Sequence, residues 1–196
     1  MREIIEFYRM SISTFITHFP PKQVDPVDPE VIAKFQSVLP DYLISLWKEH
    51  GFGKYGDGLL ELVNPDDFQS PLGTWLAKNP PNYFPIATSA FGHLFYYRKL
   101  SEQDEDVCMV DPLYVNIVTC VWSLVEFFEG YLCDDEVQQM ILRKPLFNQG
   151  IAKLGPLARH EIFLFQPALA AGGAEKVEYL GLGNCQVHLE ILFQFR

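Results

Sequence analysis

A chain of 196 residues, 48% of them hydrophobic and 20% charged, has enough apolar material for one or two compact domains and does not have the composition of a disordered protein. Its net charge of −10 disfavours direct binding to nucleic acid, because affinity for phosphate depends on Lys and Arg. The start, Met1 to Glu6, carries acids where a secretory signal needs apolar residues, and no apolar run is long enough to predict a membrane span. We therefore expect a cytoplasmic protein, with no membrane contact and with its four cysteines as free thiols.

Helical patterns dominate the N-terminal part of the chain. Apolar side chains recur there at helical spacing, and Asp or Pro residues stand where helices begin. A double proline ends the first pattern, and Gly51 is a natural residue just beyond the third. The predicted helices are Ile4–Ile16, Pro29–Phe35 with Asp28 as its cap, and Pro40–His50.

The run from Gly51 to Gly56 matches the G-x-G-x-x-G spacing of dinucleotide sites. Such a site needs the glycines after a strand and before a helix, so that the helix N-terminus meets the pyrophosphate. Here they follow a helix and precede a predicted strand, Leu59–Val63. We therefore interpret them as a helix end with a flexible loop, and we expect no nucleotide cofactor.

The middle of the chain is predicted to form successive antiparallel strands. A helix capped at Asn64 and carrying Trp75 comes first, and Pro80-Pro81 separates it from the strands. Segments rich in aromatic and β-branched residues then alternate with turn signals. The predicted strands are Tyr83–Ala87, Phe91–Tyr97, Val107–Val110 and Tyr114–Cys120.

Shorter elements make up the C-terminal part of the chain. Ser123 and Asp134-Asp135 are predicted caps of two helices, and the last stretch fits either a helix or a strand, with helix preferred. Gly155 and Gly172 are interpreted as structural positions, so replacing either with Val is expected to act through folding. The predicted elements are helices to Tyr131 and Leu142, a helix Phe147–Leu154, a strand Glu161–Phe165, a loop Pro167–Gly173, a short segment Val177–Leu180 for which a helix is one option, and a final stretch to Phe193. This order predicts an α+β fold with helices packed on a mostly antiparallel sheet.

No residue pattern predicts catalysis or a metal site. His160-Glu161 begins like H-E-x-x-H, but Leu164 stands where the second histidine should be, and neither C-x-x-C nor G-x-S-x-G occurs. Carboxylates are plentiful, so a metal-independent hydrolase stays an alternative. A deep pocket holding a carboxyl of raised pKa would favour it.

Acidic clusters are the candidate contacts for a basic partner. Each could also be a solvated loop or helix cap. The first cluster lies between two predicted strands, in a loop free to project, and charge reversal there is expected to slow association. The first cluster also contains Asp111, and the second also contains Glu136. The candidates are Glu102, Asp104, Glu105 and Asp106 in the first cluster, Glu126, Glu129, Asp134 and Asp135 in the second, and Asp57, Asp66 and Asp67 in the third.

Two stretches resemble a known family. The pattern from Leu39 through Trp47 to Gly53 resembles the start of GAD-like domains, which are related to SMI1/KNR4-type immunity folds. A longer C-terminal stretch closely resembles the module that comes after this domain in bacterial immunity proteins encoded beside type VI secretion DNase toxins. That stretch reads Lys153-Leu154-Gly155-Pro156-Leu157-Ala158-Arg159-His160-Glu161-Ile162-Phe163-Leu164-Phe165-Gln166-Pro167-Ala168-Leu169-Ala170-Ala171-Gly172-Gly173, and His188-Leu189-Glu190-Ile191-Leu192-Phe193-Gln194 completes it.

The resemblance implies a GAD-like domain over residues 1–144 and a C-terminal immunity module over 145–196, packed as one compact SMI1/KNR4-like unit. It also implies a protein that is not an enzyme and needs no cofactor. Such a protein would bind a cognate nuclease toxin and cover its active site or DNA-binding groove. The alternatives are an SMI1-like scaffold for an endogenous partner and, less favoured, the hydrolase.

Overall fold

The computed structural model describes residues 14–78 and 80–196. Seven strands form an antiparallel sheet whose spatial order is the sequence order, and two further strands form a small antiparallel sheet. The predicted α+β fold is confirmed. The large sheet consists of β1 (Pro21–Asp25), β2 (Phe52–Tyr55), β3 (Leu60–Leu62), β4 (Tyr83–Ser89), β5 (Leu94–Lys99), β6 (Glu105–Asp111) and β7 (Asn116–Val121), and the small one of β8 (Glu161–Phe165) and β9 (Leu180–Asn184).

Helices flank the large sheet, and three of them begin at the predicted caps, whereas the helix predicted from Phe147 begins at Lys144. The side chains of Asp28, Asn64 and Ser123 each accept a backbone N–H from the first turn of their helix. The predicted helix Ile4–Ile16 lies mostly outside the described residues, and residues 14–18 are helical. The helices are α1 (Pro29–Phe35), α2 (Asp41–His50), α3 (Pro65–Leu76), α4 (Leu124–Glu126) running into a π-helical turn Phe127–Tyr131, a second π-helical turn Val137–Ile141, α5 (Lys144–Leu154) and α6 (Cys185–Phe193).

The glycine run ends α2 at Gly51, as predicted, but it does not continue as a flexible loop, so that part of the interpretation is wrong. It forms β2, which is buried throughout between β1 and β3. A Cβ on Gly51 would lie 2.3 Å from the carbonyl oxygen of Asp25, and one on Gly53 would lie 2.1 Å from that of Gln23. Both glycines have positive φ. They are required because β1, a strand that the sequence does not predict, passes too close for any side chain.

The sheet carries a hydrophobic core on each face. Alternate residues of a strand point to opposite sides, so Phe95 joins one core and Tyr96 the other. The first core receives Trp47 from α2 together with aromatic rings from the segment after α4. The second core lies between the sheet and helices α3 and α6. The two sets of helices therefore cover opposite faces of one sheet.

The C-terminal segment contributes to both cores. The N–H of Phe163 in β8 donates to the carbonyl of Ala90 at 2.8 Å, which ties the small sheet to the large one. Across the second core, the indole N–H of Trp75 in α3 donates to the carbonyl of Leu189 in α6 at 3.0 Å. Residues 145–196 thus pack closely on the preceding sheet. The domain boundary expected at residue 144 stays a prediction.

Candidate protein-binding surface

Two of the four candidate acids in the first cluster serve the fold. Asp106 is fully buried and accepts hydrogen bonds from Arg98 on both carboxylate oxygens, with Arg98 Nε 2.7 Å from Oδ1. Glu105 accepts the hydroxyl of Tyr97 at 3.0 Å and the N–H of Leu124 at 2.8 Å. The expectation that Asp106 projects into solvent is therefore wrong, because pairing with Arg98 across two strands draws it inside. Glu105 is half-buried and fixes the start of α4.

The other two candidate acids of this cluster lie at the tip of the β5–β6 turn. Glu102 is 90% exposed, and its carboxylate is 3.1 Å from Lys99 Nζ. Asp104 accepts the hydroxyl of Ser101 at 2.8 Å, and Ser101 in turn accepts the Asp104 N–H at 3.0 Å. The turn thus projects as predicted, but a lysine offsets part of its charge.

Ion pairs also reduce the charge of the third cluster. Two of its carboxylates each lie 2.6 Å from a lysine Nζ. The pairs are Asp57 with Lys22 and Asp66 with Lys34. Asp67 is more loosely engaged, with its carboxylate 3.9 Å from Nε2 of His160. Exposed pairs of this kind contribute little to stability, but they leave less net field for an incoming cation.

The second cluster retains its charge. Glu126, Asp134, Asp135 and the neighbouring Glu136 are exposed, and within residues 14–78 and 80–196 none of them forms an ion pair. Asp134 accepts the N–H groups of Glu136 and Val137, as its predicted role as a cap requires. The strongest uncompensated negative surface found among the candidates is therefore the segment 126–136.

Glu129, also in this cluster, points inward. Its carboxylate accepts the hydroxyl of Tyr42, and burial raises the pKa of the Glu129 carboxyl above its usual range. The side chain is only partly accessible. Glu129 therefore joins the segment after α4 to helix α2 and leaves the surface charge to its exposed neighbours.

Large apolar side chains are exposed on either side of the acidic segment. Trp122 is 70% exposed and Met140 is 67% exposed. Neither residue stands out in the sequence. In the sequence, Trp122 resembles any aromatic residue at the end of a strand, because the helix cap Ser123 follows it directly. Its exposure depends on the position of that strand in the sheet. Exposed apolar side chains beside unpaired charge are typical of protein-binding surfaces.

A serine, a histidine and an aspartate meet inside the sheet. His93 Nδ1 lies 2.7 Å from Ser89 Oγ, and His93 Nε2 lies 3.5 Å from the carboxylate of Asp111. Ser89 and His93 are buried, however, and burial together with the Arg143 charge lowers the pKa of His93 to about 3. Ser89 Oγ also accepts two backbone N–H groups of its own turn. This arrangement stabilises the turn between β4 and β5 and gives a substrate no access.

The clefts described on the surface hold no carboxyl of raised pKa. A cleft of about 230 Å³ is lined by Lys22, Lys54, Asp57, Phe147 and Leu157 among others. Burial raises the pKa of Asp111 and of Glu129, but neither residue lines this cleft or the three others. None of these four clefts therefore has the raised-pKa carboxyl that would favour a carboxylate hydrolase.

The thiols are also poor nucleophiles. All four cysteines are free, and burial raises the pKa of Cys120 and of Cys185 to about 12. Within the described part of the chain, no three His, Cys, Asp or Glu side chains are grouped so that they could hold a metal ion. Over the same residues, no helix is both long and apolar enough to cross a bilayer.

Comparison with known proteins identifies the two parts of the chain. The model of the GAD-like domain family matches residues 10–110, and that of the C-terminal domain of T6SS immunity protein Tdi1 matches residues 123–196. The crystal structure of Atu4351 from Agrobacterium tumefaciens is similar in fold, with a TM-score of 0.69 and 16% identity over 91% of this chain and 86% of that chain. No curated protein matches the sequence. The chain belongs to the type VI secretion immunity proteins in which a GAD-like domain precedes a Tdi1-type C-terminal domain.

Proposed function

We propose that this protein binds one cognate nuclease toxin, a DNase delivered by a type VI secretion system, and neutralises it by covering its active site or its DNA-binding groove. Membership of the immunity family implies a protein toxin as the partner. The family assignment does not specify that the toxin is a nuclease. The negative charge of this chain supports that part of the proposal.

The observation that carries the proposal is the unpaired acidic segment on a chain of net charge −10. A nuclease must hold phosphates, so its groove presents Lys and Arg. An acidic protein is attracted to such a groove over a Debye length of about 8 Å at physiological salt. The exposed carboxylates between residues 126 and 136 would then compete for the cations that otherwise bind DNA.

We also propose that the protein acts in the cytoplasm, without a cofactor, without binding nucleic acid or membrane, and without catalysing a reaction. The arrangement of Ser89, His93 and Asp111 supports the last part, since Ser89 and His93 are buried and the serine hydroxyl offers no route to a substrate. The high pKa of the buried thiols supports it further.

Co-expression of this chain with the toxin-like protein encoded beside it tests the proposal. The two would be purified together, and plasmid DNA would be incubated with the toxin alone and with the complex. A stoichiometric complex in which the DNA survives is the expected result. If no complex forms and the plasmid is degraded equally in both samples, the immunity assignment to that toxin is wrong, and an endogenous partner for a scaffold becomes the better hypothesis.

A further inference from the structure

The large sheet ends at β7, and no described residue pairs with the outer edge of that strand. The neighbouring β6 is buried along most of its length, whereas every residue of β7 is at least partly exposed. The regular ladder to β6 runs from Asn116 to Thr119, after which a bulge shifts the register. The N–H of Ile117 already donates to the side-chain oxygen of Asn116 at 2.8 Å. The other main-chain groups of this stretch that point away from β6 are open to one more strand.

The opposite edge strand, β1, has the protection that natural sheets use. It begins with Pro21, which has no N–H group, it carries the charged Lys22, and a bulge interrupts the start of its ladder to β2. The sequence of β7 has neither proline nor a charged residue and is rich in β-branched side chains. Of the two edges, β7 is the one suited to receive a strand from another chain.

Aromatic side chains stand at both ends of β7. Tyr114 precedes the strand and is 61% exposed, with Arg143 over its ring and its hydroxyl 3.2 Å from Glu175. Trp122 follows the strand, and its ring stacks on no aromatic side chain of the described residues. Tryptophan is among the residues that contribute most when a partner buries them.

We propose that β7 is the edge on which the toxin docks: an extended, basic segment of the toxin adds to the sheet beside Asn116–Thr119 and covers Trp122. The proposal rests on the proposed function, since it takes the toxin as the partner. Main-chain hydrogen bonds would supply affinity, as in other complexes formed by strand addition. The uncharged strand is followed by the unpaired carboxylates of residues 126–136, so a strand bearing Lys and Arg meets a complementary field.

A second copy of this chain is a poorer occupant of the same edge. Two copies joined along β7 would bring together two molecules that each have a net charge of −10, with Glu126 and Asp135 repeated on each. Because β7 itself is uncharged, the repulsion would act between the acidic segments that follow the two strands. The negative charge of the molecule therefore favours binding of a cationic partner at β7 over binding of a second copy of this chain.

Hydrogen–deuterium exchange of the free chain and of its complex with the toxin encoded beside it measures strand addition directly. We expect amide exchange in the peptide covering Asn116–Val121 to slow about tenfold or more in the complex, because newly paired N–H groups are protected. The peptide covering β1 is the internal control, and its exchange should not change.

Matched substitutions at one exposed position test the charge of the added strand. Thr119 lies in the regular ladder, and its side chain is exposed. Thr119→Lys should weaken toxin binding about fivefold through like charge across the new pair, whereas Thr119→Glu, which loses the same hydroxyl, should not. Trp122→Ala should raise Kd about 30-fold if the ring is a central contact. Thermal melting of each variant confirms that it is folded.

The outcomes separate this proposal from the function on which it rests. If wild-type protein forms no complex with the toxin, both are wrong. If a complex forms but the β7 amides exchange as fast as before, the toxin docks elsewhere and only the edge proposal is overturned. Equal weakening by Thr119→Lys and Thr119→Glu would refute a cationic strand. If sedimentation shows that the free chain is a dimer, and hydrogen exchange shows that the β7 amides are protected in that dimer, the edge binds a second copy and the toxin proposal is overturned.

Discussion

Lys54 and Glu61 stand directly opposite each other on β2 and β3, and their charged groups meet at 2.7 Å with both side chains almost fully buried. Each also reaches the C-terminal segment. Lys54 Nζ donates to the carbonyl of Glu161 at 2.9 Å, and both carboxylate oxygens of Glu61 are 3.1 Å from the N–H of His160. One buried ion pair in the N-terminal half thus holds the start of β8.

Removing one partner of this pair should be severe. Glu61→Ala leaves the Lys54 ammonium buried without its counter-charge and frees the His160 N–H, so we expect a loss of about 3–5 kcal/mol in the free energy of unfolding. Urea denaturation followed by circular dichroism measures it. The double variant Lys54→Met with Glu61→Leu, which removes both charges, should recover only part of the loss, because the Glu161 carbonyl and the His160 N–H lose their partners as well. A single variant as stable as wild type would show that the pair is not needed.

Gly155 and Gly172 should differ in what they tolerate, although both have positive φ. Gly172 is in the left-handed helical region, at φ 85° and ψ 16°, where Asn is accepted at little cost. Gly155 is at φ 88° and ψ −179°, a region that is essentially restricted to glycine. No atom of the described chain, apart from the adjacent residues, lies within 4 Å of a Cβ placed at either position, so backbone conformation alone determines the cost of a substitution. We expect Gly172→Asn to melt like wild type and Gly155→Asn to lose about 1–3 kcal/mol.

The single variants Gly155→Val and Gly172→Val test whether these two glycines of the motif Lys153–Gly173 have a structural role. Each Val variant should lower the melting temperature, since a β-branched residue is strained at positive φ. Toxin binding per folded molecule should not change. A Val variant that melts normally but has lost binding would mean that the motif contacts the toxin.

His188 should make stability depend on pH. Its Nε2 is buried without a hydrogen-bond partner within the described residues, and burial lowers the pKa of His188 to about 4, below the unfolded value of 6.5. As the pH falls below 6.5, the histidine binds a proton in the unfolded chain but not in the folded one. The free energy of unfolding is therefore highest above pH 6.5 and decreases as the pH falls toward 4. Relative to wild type, His188→Leu should gain about 1.5 kcal/mol in stability between pH 6.5 and pH 5. Parallel curves for both proteins would contradict this.

Charge reversal should show which acidic surface meets the toxin. Asp135→Lys and Glu102→Lys change the net charge by the same amount, but Asp135 is unpaired and Glu102 lies 3.1 Å from Lys99. We expect Asp135→Lys to slow association about tenfold at low ionic strength, with the difference shrinking as salt is added. Stopped-flow fluorescence over a range of salt measures both rates. Equal slowing by the two variants would point to net charge alone.

Local chemistry made parts of this fold predictable. Asp28, Asn64 and Ser123 cap helices because a short side-chain oxygen reaches the free N–H groups of its own first turn, and this needs no distant residue. The aromatic and β-branched segments became strands for a similar reason. The motif Lys153–Gly173 identified the family because it is a pattern of residue types, independent of what each residue contacts.

Contacts between distant parts of the chain decided the rest. The role of the β2 glycines is not predictable locally, because the strand that requires them, β1, is separated from them by two helices. Asp106 and Asp135 look alike in the sequence, yet Arg98 buries the first and nothing in the described chain neutralises the second. The sequence by itself determined the helix caps at Asp28, Asn64 and Ser123, most of the central strands and the family. Only the tertiary structure decided which acids keep their charge and that β7 is an open edge, because burial and strand order depend on residues far apart in the chain.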